Sequence, residues 1–220
     1  MMIKKLHLGC GERYLPGYIN IDFPADKHSV QKRVVADRLI DIRRLKCTPQ
    51  SIDEIRLHHV FEHFPRSVAC ALLVVWYTWL KTGGVLRIEV PDLEQMAKNI
   101  TNRFLTTRKK MVAERHIFGS QEASWALHFA GYTPQRLSDF LKKYGFEVER
   151  IKKNHWKGTS NIEVFAVKSD RLITLNDFEK ITRKYLGQFL LDNSASERKL
   201  LEVWMNIYQN QIKKGGLGSK

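Results

Sequence analysis

The sequence predicts an α/β fold, a doubly wound and mostly parallel seven-stranded sheet followed by a C-terminal helical hairpin. Two observations predict it. Short apolar runs alternate with helical patterns along the first 170 residues, as in sheets whose parallel strands are joined by helices. In addition, the run Ile3–Leu8 stops at a glycine pair and the run Tyr18–Asp22 stops at an acid, as in sheets that bind nucleotides at their strand ends.

Seven segments have the length and composition of strands, each bounded by glycine, proline or charged residues. In chain order they are Ile3–Leu8, Tyr18–Asp22, Val34–Ala36, Glu54–His58, Val85–Val90, Phe146–Ile151 and Ile162–Val167. Helices are expected between most of them. One is predicted over Arg66–Lys81, with Gly83-Gly84 as its C-terminal stop, and another over Pro134–Tyr144.

The first crossover is unusually short. Gly11 and Asp22 are 11 positions apart, whereas a parallel crossover with its helix takes about 10–12 residues at least. The first helix should therefore be a stub that ends at Pro16-Gly17. Residues 103–130 are the least regular part of the first domain, and their aromatic content predicts a lid or substrate segment rather than simple disorder.

A second, smaller unit follows the sheet. We expect one domain over residues 1–170 and a helical appendage over residues 171–220. Asn176 with Glu179, and Ser194 with Glu197, resemble capping boxes at the starts of two helices. The apolar stripes of these helices would pack on the first domain, and the alternative is a homodimer interface. The stripes consist of Phe178, Ile181, Tyr185 and Phe189, and of Leu200, Leu201, Trp204 and Tyr208.

Composition limits the classes of protein that fit. The three cysteines of this 220-residue chain have no metal-like spacing, which favours a reducing compartment without disulfides. The longest apolar run, Val68–Tyr77, is too short to span a bilayer. We therefore expect a soluble cytoplasmic protein. The net charge of +14 would suit nucleic acid, anionic lipid or phosphorylated sugar carriers, and charge alone does not distinguish them.

The glycine pair and the acid predict a ribose-bearing ligand. Gly9 and Gly11 let backbone N–H groups approach a ligand closely, and Asp22 can accept hydrogen bonds from a ribose diol. A dinucleotide-binding loop would need a third glycine where the chain has Tyr14, and no phosphate-binding Gly-Lys-Ser/Thr triplet is present. A nucleoside without a pyrophosphate remains, and S-adenosylmethionine (SAM) fits this description.

Five stretches together resemble the class I SAM-dependent methyltransferases, in particular a type 11-like branch associated with polysaccharide and glycan pathways. The stretches are Leu6–Gly11, Pro16–Asp22, Val60–Phe64, Gly83–Ile88, and Gly131–Pro134 with Tyr144–Phe146. The resemblance implies a Rossmann-like sheet that ends in an antiparallel strand pair. It also implies SAM as cofactor, contacted by the backbone of Leu8, Gly9, Cys10 and Gly11. Asp22 would bind the ribose, Asp41 or the competing Asp37 the adenine amino group, and His58 or His59 would line the methionine end.

Methyl transfer to a hydroxyl needs a base, and histidine is the side chain best suited to it near neutral pH. His59, Glu62 and His63 share one face at helical spacing, and His128 lies in the lid segment. These four residues are the catalytic candidates. The motif is similar to the Glu-x-x-Glu-His arrangement with which small-RNA 2′-O-methyltransferases bind a divalent metal. However, type 11-like enzymes carry the Glu-His pair without metal, so we expect no metal here.

The function expected from the sequence is SAM-dependent O-methylation of a sugar hydroxyl on a glycan or its activated precursor. The sugar preference is implied by the resemblance alone. Two alternatives stay open. An RNA methyltransferase would use the net positive charge to bind phosphates, and a catalytically silent SAM-binding subunit would keep the glycines and Asp22 but would need a partner for chemistry.

Overall fold

The computed structural model describes residues 3–24, 31–156 and 158–217. Within them, seven strands form one sheet in the order β3-β2-β1-β4-β5-β7-β6. Neighbours from β3 to β5 pair in parallel, and β7 is antiparallel to both β5 and β6. The strands are β1 (Lys5–Leu8), β2 (Ile19–Asp22), β3 (Arg38–Leu39), β4 (Ile52–His58), β5 (Leu80–Pro91), β6 (Phe146–Trp156) and β7 (Thr159–Lys168). The predicted doubly wound sheet with its antiparallel end pair is therefore confirmed.

The described residues also form six α-helices. Helix α1 is apolar on nearly all sides because it is enclosed between the sheet core and the C-terminal hairpin, which leaves no side for water. Helices α5 and α6 both pack against it. The helices are α1 (Arg66–Trp79), α2 (Leu93–Thr101), α3 (Thr107–Phe118), α4 (Pro134–Lys143), α5 (Leu175–Gly187) and α6 (Ala195–Lys214).

Two predicted boundaries were wrong. The third strand is Arg38–Leu39 rather than Val34–Ala36, and Val34 is exposed in a loop. The helix predicted to reach Lys81 ends at Trp79, and the chain enters β5 directly at Leu80. The Gly83-Gly84 pair consequently lies inside β5, at an irregularity where the pairing with β4 shifts register, instead of terminating the helix.

The connections and helix caps differ from the sequence-based predictions in three further places. Residues 9–18 form turns and no helix, so the first crossover lacks even the stub that was expected. The lid segment 103–130 contains the regular helix α3, whose N-terminus is capped by the Thr106 hydroxyl. Helix α5 is capped by a box of Thr174 and Asp177 rather than Asn176 and Glu179, whereas the cap of α6 is the predicted Ser194.

The C-terminal hairpin belongs to the same hydrophobic core as the sheet. Phe178 of α5 is buried and stacks on Tyr144, while Tyr185 stacks on Phe140 of α4. From α6, Tyr208 is buried in the same cluster. The predicted stripes pack on the first domain except at Leu200, which is exposed, and the homodimer alternative stays a prediction. No helix among the described residues has the length and apolar character needed to cross a bilayer.

Candidate active site

A cavity of about 870 Å³ lies at the carboxyl ends of β1, β2 and β4. The sheet order changes direction between β1 and β4, and open α/β sheets bind ligands at such a switch point. A cavity of this size can enclose a nucleoside cofactor and part of a second molecule. Its lining consists of Gly9, Cys10, Gly11, Asp22, Phe23, Asp41, Ile42, Arg43, His58, His59, Val60, His63, Phe64, Pro65, Glu122, Ser124, Trp125 and Phe129.

One end of the cavity is made by the glycine turn after β1. The N–H groups of Gly9 and Cys10 donate to the carbonyl of Ile21 at 2.8 and 3.1 Å, which holds the turn against the end of β2. Gly9 has a φ of +69°, and a Cβ there would lie 2.3 Å from Cγ2 of Val60. Gly11 has a φ of +55°, and a Cβ there would meet only open space within 4 Å. The turn therefore presents bare backbone to the cavity.

Two carboxylates lie along the same end. Asp22 ends β2, is only 5% exposed, and accepts a hydrogen bond from the N–H of Phe23 at 2.7 Å. Asp41 accepts a forked pair of bonds from Arg43, with Nε to Oδ1 at 2.9 Å and Nη2 to Oδ2 at 2.7 Å. Burial raises the pKa of Asp41, but the hydrogen bonds of Arg43 outweigh burial and lower it overall. Both groups are therefore placed as acceptors facing the cavity.

The competing residue Asp37 is occupied elsewhere. Its Oδ2 accepts from the backbone N–H of Asn20 at 2.7 Å and from Nδ2 of Asn20 at 3.1 Å. Asn20 in turn lies 3.1 Å from Nδ1 of His7, a fully buried ring in β1. Burial, the largest effect, lowers the pKa of His7 to about 4. These three residues form a buried polar support beneath the glycine turn.

The other end of the cavity carries three histidines, His58 at the end of β4 and His59 and His63 in the residues that follow it. His58 Nε2 lies 3.0 Å from Glu89 Oε1, and His59 Nε2 lies 3.6 Å from the same oxygen. His59 has a φ of +55° and donates its backbone N–H to the carbonyl of Glu89 at 2.9 Å. Left-handed backbone is uncommon for histidine and here turns the chain sharply out of the strand. His63 completes this wall.

His59 is held between two acids. Its Nδ1 lies 3.2 Å from Glu62 Oε1, on the opposite side from Glu89. Burial lowers the pKa of His59, but the hydrogen bonds and the charges of Glu62 and Glu89 outweigh burial and raise it to about 9. The same pairing depresses the pKa of Glu62 and of Glu89 against the effect of their burial. His59 is therefore a protonated ring locked in place at neutral pH.

Three predicted site residues are not on the cavity wall. Leu8 is fully buried in the sheet, and Glu62 is buried behind His59. His128 lines a second, much smaller cavity together with His116. Its Nδ1 lies 3.0 Å from the carbonyl of His116, and burial lowers the pKa of His128. The structure thus brings together the other predicted residues, namely Gly9, Cys10, Gly11, Asp22, Asp41, His58, His59 and His63.

The sequence analysis missed Glu89, which anchors two histidines. A signal was present, because Arg87 and Glu89 place charge at alternate positions of a strand that should be buried on both faces. The lid segment also supplies side chains to the cavity wall that the sequence analysis did not name. Glu122, Trp125 and Phe129 all line the cavity, and Phe129 is 48% exposed.

Comparison with known proteins agrees on the architecture. No protein-family model matches the chain, and no curated protein sequence is similar to it at a significant level. Among solved structures, a methyltransferase bound to the Trm112 activator from Haloferax volcanii superposes with a TM-score of 0.54 at 11% identity, covering 79% of this chain and 85% of that one. The two therefore share a Rossmann-like fold.

A methyltransferase from Bacillus halodurans gives a similar result. It superposes with a TM-score of 0.51 at 13% identity, covering 76% of this chain and 92% of that one. Both structures therefore match over most of their length. At such low identity the similarity establishes the fold, and the chemistry must be argued from the residues of this chain.

Proposed function

We propose that this protein is a methyltransferase that moves a methyl group from SAM to a sugar hydroxyl. The single observation that carries the proposal is the cavity itself, which has a bare glycine turn and two carboxylates at one end and a histidine wall at the other. These two ends correspond to the two things such an enzyme must hold, a ribose-bearing donor and an oxygen nucleophile.

The residues at the first end fit SAM. The open space at Gly11 lets an amino acid moiety lie against the backbone, where a side chain would otherwise stand. Asp22 at the end of β2 can accept from both hydroxyls of a ribose, and Asp41 farther along can accept from an adenine amino group. When bound, SAM supplies a methyl group made electrophilic by its sulfonium.

The residues at the second end can activate an alcohol. A carboxylate only accepts hydrogen bonds, so Glu89 fixes the proton of His58 on Nε2 and leaves a lone pair on Nδ1. We assign the base role to His58 rather than to His128, which lies behind the wall. The acceptor oxygen bonds to the methyl carbon, the carbon–sulfur bond breaks with its electron pair on sulfur, and the hydroxyl proton passes to His58.

The lining supports an uncharged acceptor. The described lining residues include three carboxylates and two cationic groups, and both cations are already paired, the guanidinium of Arg43 with Asp41 and the ring of His59 with Glu62 and Glu89. The net charge of +14 is therefore not concentrated at this opening. A phosphate backbone would be repelled by the carboxylates of the lining, whereas a sugar can place its apolar face on Phe129 and its hydroxyls near those carboxylates. This favours the glycan-type acceptor over RNA.

Calorimetry with SAM tests the donor assignment. We expect Asp22→Ala to weaken SAM binding by about 1–3 kcal/mol, because the ribose loses its charged acceptor. The control Asp139→Ala changes a carboxylate on α4 outside the cavity lining and should bind SAM as the wild type does. Equal affinities for Asp22→Ala and the wild type would contradict the placement of the ribose.

Acceptor class is tested by the formation of S-adenosylhomocysteine. Purified protein is incubated with SAM and with monosaccharides, nucleotide sugars or a mixed RNA preparation. Product with the sugars alone supports the proposal, and product with RNA alone overturns the sugar assignment. A protein that binds SAM but yields no product with any acceptor class would be the silent subunit.

A further inference from the structure

Behind the histidine wall, three potential metal ligands converge. Glu62 and His63 lie on the single turn Phe61–His63 that follows β4, and His128 arrives from the lid segment 65 positions later. One ligand atom from each of the three lies within 4.8 Å of the others. The rings of His63 and His128 meet edge to face, with centroids 4.6 Å apart.

Backbone carbonyls orient both imidazoles. His63 Nδ1 lies 3.1 Å from the carbonyl of Leu127, and His128 Nδ1 lies 3.0 Å from the carbonyl of His116. Because a carbonyl oxygen only accepts, each Nδ1 must carry the proton. Each neutral ring therefore has its lone pair on Nε2. A carbonyl on the outer nitrogen is the usual second-shell partner of a metal-binding histidine.

Glu62 contributes a carboxylate oxygen that accepts no hydrogen bond from the described residues. Its side chain is 1% exposed, and Oε1 is taken by His59, whereas Oε2 has no hydrogen-bond partner within the described part of the chain. A buried, unpartnered carboxylate oxygen is expensive unless a cation or proton satisfies it. The two Nε2 lone pairs cannot supply a proton to this oxygen, but one cation within reach of all three side chains would satisfy them.

The main chain holds the cluster in place. The N–H groups of Phe129 and Ala130 donate to the carbonyl of Glu62 at 2.9 and 3.2 Å, which fastens the lid segment to the turn that carries two of the ligands. His59 is excluded as a fourth ligand, because its nitrogens are committed to Glu62 and Glu89. The site therefore offers one carboxylate and two imidazoles on a rigid frame.

We propose that Glu62, His63 and His128 bind one divalent transition-metal ion such as Zn²⁺. Two imidazoles with one carboxylate suit this class of ion, whereas Ca²⁺ and Mg²⁺ prefer oxygen ligands throughout. This replaces the metal-free site expected from the sequence. Because His63 also lines the main cavity, the ion would lie next to the acceptor end with coordination positions left for an oxygen ligand.

The role of the ion, though not its binding, rests on the proposed function. A bound divalent cation lowers the pKa of a hydroxyl that it coordinates, so it would share with His58 the work of activating the acceptor oxygen. Chelation should then reduce methyl transfer while leaving the SAM-binding end of the cavity unchanged.

The test is direct titration with Co²⁺, whose visible absorption reports nitrogen and oxygen ligation. The chelator-treated protein should bind one equivalent of Co²⁺. His128→Ala and Glu62→Gln should weaken binding by about 100-fold or more, since each removes a ligand. His155→Ala is the matched control, because His155 is exposed on β6 and bonds to Ser160. Circular dichroism confirms that each variant is folded, and His128→Gln replaces His128→Ala if the latter is not.

The outcomes separate this proposal from the proposed function. No stoichiometric Co²⁺ binding by the wild type, or equal binding by the wild type and folded Glu62→Gln, overturns the metal site. SAM binding is measured on the same chelated sample by calorimetry. SAM binding without Co²⁺ binding would overturn the metal site alone, and Co²⁺ binding without SAM binding would overturn the methyltransferase proposal alone.

Discussion

The two ends of the cavity, the glycine end and the histidine end, differ in whether backbone or side chains form them and in how far apart their residues lie in the sequence. The glycine end is made of backbone and short acids, from Gly9 to Phe23 and at Asp41, and these residues are close in sequence. The histidine end is made of side chains from the end of β4, from β5 and from the lid segment, which are separated by tens of residues. One end depends on local conformation, and the other depends on how distant segments meet.

This difference has a consequence for how each end tolerates change. A turn that presents bare backbone is damaged by any added atom, because there is no side chain to rearrange. A histidine cluster is damaged instead when a partner that fixes a ring nitrogen is lost, even if that partner is far from the cavity. Adding a side chain at a glycine and removing a partner of a histidine therefore test the two ends separately.

The largest effect is expected at the glycine turn. Gly9→Ala combines a positive φ with a contact of 2.3 Å to Val60, so the free energy of unfolding should fall by about 2–5 kcal/mol and SAM binding should be lost. Gly11→Ala is the matched variant, since its Cβ meets no described atom within 4 Å. It should cost only about 1–2 kcal/mol of stability from its backbone conformation, yet still weaken SAM binding.

Urea unfolding and SAM calorimetry on both variants measure this contrast. If Gly9→Ala and Gly11→Ala were equally stable, the close contact with Val60 would not control the turn. If Gly11→Ala bound SAM normally, the cofactor backbone would not pass over this position.

An intermediate effect is expected from the support beneath the turn. His7 has a pKa near 4 in the folded protein against 6.5 for an ordinary histidine, so between these values the unfolded chain binds a proton that the folded chain does not. Stability should consequently fall as the pH is lowered from 6.5 to 4, by up to about 3 kcal/mol from this residue. His7→Gln should remove that component.

Unfolding free energies at several pH values compare the wild type with His7→Gln. The exposed His155→Gln serves as the control and should keep the wild-type pH dependence. A parallel decline in wild type and His7→Gln would show that the buried ring does not contribute to acid sensitivity.

The smallest effect is expected on the lid. Phe129→Ala should raise the KM for a sugar acceptor about 2- to 10-fold, the value of one lost aromatic contact, without changing SAM affinity. Phe118→Ala is a suitable control, because Phe118 is 52% exposed against 48% for Phe129 and does not line the cavity. An equal change of KM in both variants would remove Phe129 from the acceptor site.

The meeting of the glycine turn and Asp22 at one cavity could be predicted from the sequence because its signals are local. The stop of an apolar run at Gly9 and Gly11, and the acid Asp22 after the next run, follow from backbone geometry and strand length alone. The alternation of strands and helices likewise predicted the parallel sheet, and the family resemblance implied its antiparallel end. Errors occurred where tertiary contacts override local preference, as at Gly83-Gly84, where β4 pairs with a segment that resembles the end of a helix.

The histidine end was decided by the tertiary structure. Spacing showed that His59, Glu62 and His63 could share a face, but it could not show that Glu89 of β5 would lie against His58 and His59. Nor could it show that His128 would turn away from the cavity and toward Glu62 and His63. Such contacts depend on strand register and on where a long segment docks, and these are set by packing between residues distant in the chain.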